Sequence, residues 1–134
     1  MAVKKKEKGF TLIELIIVFT LIGILVGLSL PQYKNAAKFA RETVLKDDLY
    51  TMRTLINQYY VDKGKYPESL QILVDEEYLM KIPEDPITKS SDTWVEVPQE
   101  LTLDEMTSGV VPGIVDVHSS SEEIGTDGTA YNTW

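Results

Sequence analysis

The feature that most limits what this chain can fold into is an apolar run containing a single acid. The segment GFTLIELIIVFTLIGILVGLSLP extends from Gly9 to Pro31, and between Phe10 and Leu30 its only charge is Glu14. Those 21 residues, wound as an α-helix at about 1.5 Å per residue, span roughly 31 Å, the thickness of a bilayer core. A carboxylate at the centre of such a helix costs about 2.5–3.5 kcal/mol. Near the helix start it lies instead by the headgroups and the positive end of the helix dipole, so the position of Glu14 moderates its cost without explaining its presence.

The flanks set the orientation. The leader MAVKKKEKG holds Lys4, Lys5, Lys6 and Lys8 against Glu7, a net +3, and this predicts a cytoplasmic N-terminus with the rest of the chain across the membrane. Beyond the leader stand 9 basic and 20 acidic residues, a net −11. From Lys81 onward there are two lysines against eleven carboxylates. So acidic a body is a poor nucleic-acid binder and a plausible cation holder. The chain has no cysteine, which removes disulfides, thiolate-bound metals and thiol catalysis. A secretory signal peptide has a shorter apolar core and a small-residue cleavage site, and LSLPQYKN offers no such site. A plain signal anchor fits the length and charge but accounts for neither Gly9 nor Glu14.

The residues GFTLIEL (glycine, aromatic, small polar, two aliphatics, glutamate) resemble the N-terminal motif of type IV pilins and type II secretion pseudopilins. The resemblance implies cleavage by a prepilin peptidase between Gly9 and Phe10, and N-methylation of the new Phe10 amine. Glu14 then becomes the fifth residue of the mature chain. In a filament of parallel helices, the Phe10 amine of a neighbour can pair with Glu14, and the pair forms only at the correct stagger. Pro31 occupies the place of a family proline around which the helix can melt during assembly; Gly27 and Ser29 favour such melting. Phe10, Glu14 and Pro31 are thus the expected assembly residues. Gly23 and Gly27 have the spacing of a close helix contact, a weak signal alone.

Proline lacks the N–H for its i−4 carbonyl, so Pro31 is expected to kink or loosen the helix, which then resumes as an amphipathic one. Leu45, Leu49, Met52, Ile56 and Tyr59 step by 4, 3, 4 and 3 and predict the core face, which Val44, Leu55 and Tyr60 widen. Asp47, Asp48, Arg53 and Gln58 fall off that stripe. Gly64 is read as the left-handed cap. A short second helix is expected over about Glu68–Glu76, where Leu70, Leu73 and Val74 share a face, and Pro83 and Pro86 enforce a stiff loop. Thr93–Val97 and Ile114–His118 read as strands. Between them lies a loop with a turn of helix near Leu103–Met106, and Ala130–Trp134 is a further strand after an Asp127-Gly128 turn.

The sum is an α+β chain: a long N-terminal helix, half transmembrane and half amphipathic, packed on a small globular head with a short second helix and a small antiparallel sheet. The expected organisation is a leader over 1–9, a membrane helix over 10–30 and a periplasmic head over 31–134. The runs YYVDKGKYP, LQILVDEEYL, IPEDP, DVHS and the final DG…W are similar to the major pseudopilin of type II secretion. That likeness implies a pilin fold with a calcium ion in the loop after the DVHS strand, where surface pilins commonly place a disulfide. Asp127, Glu122, Glu123 and Ser119 are the candidate calcium ligands. Read without the resemblance, the same acidic run is a solvated surface loop. His118, the single histidine, lacks the company of a catalytic or metal site, and no phosphate-cradling loop or hydrolase motif occurs.

The expected role is therefore structural rather than enzymatic. The chain would be a subunit that polymerises with its own copies in the inner membrane and periplasm, served by a prepilin peptidase, other pseudopilins and an inner-membrane assembly platform, with no nucleic-acid partner. Two alternatives stay open: a subunit of a surface pilus, and a membrane-anchored periplasmic domain that never polymerises.

Overall fold

The computed structural model describes residues 8–134, so the leader lysines before Lys8 lie outside the described residues. The chain divides into two compact units, one ending at Ala37 and one comprising Lys38–Trp134. Helix α1, Leu12–Lys63, contributes to both and runs through Pro31 without interruption. The proline expected to kink or loosen the helix is carried inside one continuous helix of 52 residues. A proline removes one i→i−4 bond, here the one to Gly27, and the turns on either side keep theirs.

In the first unit the helix is apolar and exposed on all sides, as Phe19, Ile22, Leu25 and Leu28 illustrate. The hydroxyls of Thr20 and Ser29 are satisfied within the helix: Thr20 Oγ1 donates to the Ile16 carbonyl and Ser29 Oγ to the Leu25 carbonyl, each at 2.7 Å. Hydroxyls bonded back to the helix in this way are suited to lipid. By length and composition it can cross a membrane.

The second unit contains its part of α1 with α2 (Leu70–Asp75), β1 (Val95–Pro98), α3 (Leu103–Thr107), β2 (Ile114–His118) and a closing 3₁₀ turn, Tyr131–Thr133, and its core joins α1 to α2, β2 and that turn. Leu45, Leu49, Met52, Ile56 and Tyr59 are all buried, as their spacing predicts, and meet Leu70, Leu73, Trp94, Ile114, Val117 and Tyr131. Leu55 packs at the edge of this core, whereas Val44 and Tyr60 are exposed. The contacting face is narrower than expected because the head covers one side of α1 only. Helix α1 ends where Gly64, at φ +72°, returns its amide to the Tyr60 carbonyl at 2.8 Å.

Strands β1 and β2 pair antiparallel, with Val95 opposite His118 and Val97 opposite Asp116; the register shifts between Val97 and Pro98. Strand β2 matches its expected limits. Strand β1 starts two residues late, because Trp94 turns into the core and donates its indole N–H to the Pro83 carbonyl at 2.8 Å. Helix α2 starts at Leu70 rather than Glu68. Its first amide is capped by Glu96 Oε1 at 2.9 Å, a carboxylate on β1, and not by the side chain of Ser69. Helix α3 carries a reciprocal capping box between Thr102 and Glu105.

The expected last strand is absent. Ala130 makes one isolated bridge to Ile124, and Tyr131–Thr133 then tightens into a 3₁₀ turn. The 3₁₀ geometry eclipses positions three apart. It brings Tyr131 and Trp134 into an edge-to-face pair with ring centres 4.9 Å apart.

Candidate functional site

At the N-terminal motif, Thr11 precedes the first turn of α1 and Glu14 lies three residues on. The Thr11 amide donates to Glu14 Oε2 at 2.7 Å, and the Glu14 amide donates to Thr11 Oγ1 at 3.3 Å. This is a capping box, in which each residue's side-chain oxygen accepts the other's backbone amide, one of those left over at a helix start. The T-x-x-E spacing was legible in the sequence as such, yet the pilin-type reading of Glu14 left it unremarked. The box explains how a carboxylate tolerates the edge of a bilayer: it accepts a backbone proton and lies at the positive end of the dipole. Every group in the box lies on the C-terminal side of the Gly9–Phe10 bond, so cleavage there would leave it intact.

The calcium candidates lie in the segment that follows β2. Ser119 is fully buried, and its hydroxyl donates to Asp85 Oδ2 at 2.5 Å. Asp127 is exposed at the tip of a turn in which the Gly128 amide donates to the Gly125 carbonyl. Its Oδ1 accepts the Thr129 hydroxyl at 2.7 Å and the Thr129 amide at 2.9 Å. These bonds, the hydroxyl's first, hold the Asp127 carboxyl below the usual range. Glu122 and Glu123 are exposed. Among the described residues no three acidic or histidine side chains converge as a metal site would need. The four candidates share a segment without their acidic side chains forming such a cluster.

Sequence reasoning missed what does converge there. Glu42, 2% exposed on α1, accepts the Thr126 amide on Oε1 at 2.7 Å, the Tyr131 hydroxyl on Oε1 at 2.8 Å and the Thr126 hydroxyl on Oε2 at 2.5 Å. Burial pushes the Glu42 carboxyl upward, but the bonds from Thr126 and Tyr131 outweigh it and hold the group below its ordinary range. Burial and the same bond push the Tyr131 hydroxyl up to about 12. One helical turn earlier, Lys38 Nζ donates to the Ile124 carbonyl at 2.9 Å; one turn later, Lys46 lies 4.6 Å over the Trp134 ring. The signal was available: Glu42 is three residues before Leu45 and extends the 4,3 stripe, so its phase points into the core.

Arg53 lies off the core stripe, as its spacing predicts, but is half-buried against the head. Its Nε donates to Asp116 Oδ1 at 2.6 Å, and one terminal nitrogen reaches the carbonyls of Val117 (3.0 Å) and Trp134 (2.7 Å). His118 Nδ1 is 2.6 Å from the same Trp134 oxygen, and its Nε2 is 3.4 Å from Asp116 Oδ2. The lone histidine thus helps tie Trp134 to β2, a structural arrangement with no nucleophile in it. Gly125 completes the packing, because a Cβ at this position would fall 2.6 Å from Trp134 Cζ2.

Comparison with known proteins agrees with the N-terminal geometry. The family described as the prokaryotic N-terminal methylation motif matches residues 4–30. The chain is 35% identical over 80 residues to the type II secretion system core protein G of Pseudomonas aeruginosa, covering 60% of this chain and 54% of that protein. It is 38% identical over 65 residues to a type IV major pilin of Neisseria gonorrhoeae, covering 47% of this chain and 38% of the pilin. A core protein G of Aeromonas hydrophila is 26% identical over 99 residues, covering 62% of this chain and 69% of that protein. The chain thus spans about half, or less, of the first two relatives. No solved structure matches it. The chain thus carries a methylation motif at its N-terminus and is similar, over about half its length, to both core proteins G and type IV major pilins.

Proposed function

We propose that this chain is a structural filament subunit, a pseudopilin of a type II secretion machine, and not an enzyme. It is made as an inner-membrane precursor with its head in the periplasm. A prepilin peptidase removes residues 1–9, Phe10 is N-methylated, and subunits assemble through the Phe10–Leu30 helices into a periplasmic pseudopilus with help from other pseudopilins and an assembly platform. The observation that carries this reading is the methylation motif joined directly to a membrane-length helix with one carboxylate in its first turn.

The mechanics follow from the helix. Moving an all-round apolar helix from lipid into a bundle of like helices keeps its side chains out of water throughout, so the transfer is close to reversible. Glu14 supplies the directional element, since an amine–carboxylate pair in low dielectric forms strongly only in register. Thr20 and Ser29, already bonded within the helix, impose no competing polar demand.

A surface pilus is the second reading, favoured by the similarity to the Neisseria pilin. The similarity to the Aeromonas core protein G runs over more of both chains and supports the pseudopilus.

The capping box allows a sharp test. Glu14→Gln keeps an acceptor for the Thr11 amide while removing the charge. Filament formation is then assayed by cross-linking and electron microscopy in cells that supply the assembly machinery. The proposal expects normal insertion and cleavage with filaments lost. Normal filaments from Glu14→Gln would reduce Glu14 to a helix cap and overturn the pairing role.

A further inference from the structure

Two carboxylates are buried in the head, Glu42 at 2% and Asp85 at 0% exposure, and among the described residues neither forms a salt bridge. A buried carboxylate is expensive unless hydrogen bonds satisfy it. Both are satisfied, and both hold the same segment. Asp85 accepts the Ile87 amide on Oδ1 at 2.8 Å, which turns the IPEDP loop inward, and its Oδ2 takes the Ser119 hydroxyl. Glu42 takes Thr126 twice and Tyr131 once. The segment leaving β2 is therefore fastened at Ser119 by one acid and at Thr126 and Tyr131 by the other.

We infer that Glu42 and Asp85 are the internal fasteners of the C-terminal loop, and that the head closes this loop without a divalent cation. A metal accepts electron pairs from oxygens. Here the inward-facing carboxylate oxygens already receive N–H and O–H protons, and Asp127 is turned onto Thr129. An ion at Glu42 or Asp85 would have to displace these bonds, and at Asp127 it would compete with Thr129 for Oδ1. Closure thus depends on the phase of α1, which places Glu42 on the core stripe, and on the turn that buries Asp85. The inference stands on the head alone and holds whether the filament is a pseudopilus or a surface pilus.

The test uses the full-length chain in detergent micelles, with head unfolding followed through Trp94 and Trp134 fluorescence. Melts are compared in millimolar calcium and in excess EDTA for the unmodified chain, Glu42→Gln and Tyr131→Phe. An ion present at a hundred times its dissociation constant would raise the midpoint by roughly 10–20 °C. The inference expects calcium and EDTA midpoints to agree within about 2 °C, Glu42→Gln to lose roughly 5–15 °C, and Tyr131→Phe to lose a smaller part of that. A gain above about 5 °C from calcium in the unmodified chain would overturn it, and so would a Glu42→Gln midpoint equal to the parent's. Should Glu42→Gln fail to fold, the calcium comparison and Tyr131→Phe still decide.

Discussion

Replacing Arg53 by methionine keeps the aliphatic stem against the head and removes the guanidinium. The loss can be apportioned from its contacts. The ion pair with Asp116 is 2.6 Å long but its side chains are 35% and 36% exposed, so solvent screening limits it to about 0.5 kcal/mol. The bonds to the Val117 and Trp134 carbonyls at 3.0 and 2.7 Å come from a charged donor, and at half-exposed positions we assign each about 1 kcal/mol. Arg53→Met should therefore cost about 2–3 kcal/mol, or roughly 10–20 °C in the melting midpoint of a head of this size. Arg53→Lys, which keeps charge but not the fork, should lose about half as much. The assay is thermal unfolding in micelles, with a double-mutant cycle against Asp116→Asn. Arg53→Met within about 0.5 kcal/mol of the parent would refute the latch to β2 and Trp134. A coupling to Asp116 above about 2 kcal/mol would show that the ion pair, not the carbonyls, carries the effect.

Gly125→Ala places a methyl 2.6 Å from Trp134 Cζ2 and should destabilise the head by about 1–3 kcal/mol, visible as a lowered melt and a shifted Trp134 environment. In alkali, the Tyr131 hydroxyl is raised to about 12, so its bond to Glu42 is intact below the ordinary tyrosine value near 10 and is lost as pH rises through about 12. Tyr78, held by Asp62, is also raised to about 12. Ultraviolet titration should therefore show two late-ionising tyrosines, and Tyr131→Phe should remove one of them. In acid, Glu42 is lowered from 4.5, with Thr126, Tyr131 and Lys38 as the groups that face it. Its contribution is complete above pH 4.5 and declines as pH falls through the lower folded value. An acid melt that is steeper for the parent than for Glu42→Gln would bear this out.

How much was legible divides along the range of the interactions. The core face of α1 is written in local spacing, and Leu45 through Tyr59 are buried as the 4,3 steps require. Strand β2 and the Gly64 cap are equally local and lie where expected. The start of α2 is not local, because its cap comes from Glu96, 26 residues away. The terminal strand fails for the same reason: Tyr131 answers to Glu42, 89 residues earlier, and the backbone tightens to let it. Acidic residues were read as solvated or as metal ligands, which is the common fate of exposed ones. Glu42 and Asp85 depart from it through a stripe phase and a proline-bounded turn, and only the first could have been read without coordinates. The N-terminal motif is likewise local, and the Thr11–Glu14 capping box within it joins residues three apart in sequence, although the reading of Glu14 passed over it.

The central claim is that this chain is a pilin-type precursor. The most direct test is its intact mass after extraction from membranes, with and without a co-expressed prepilin peptidase. The account predicts loss of Met1–Gly9 and the addition of one methyl group when the peptidase is present. An unchanged mass under both conditions would leave a plain membrane anchor and contradict the filament role.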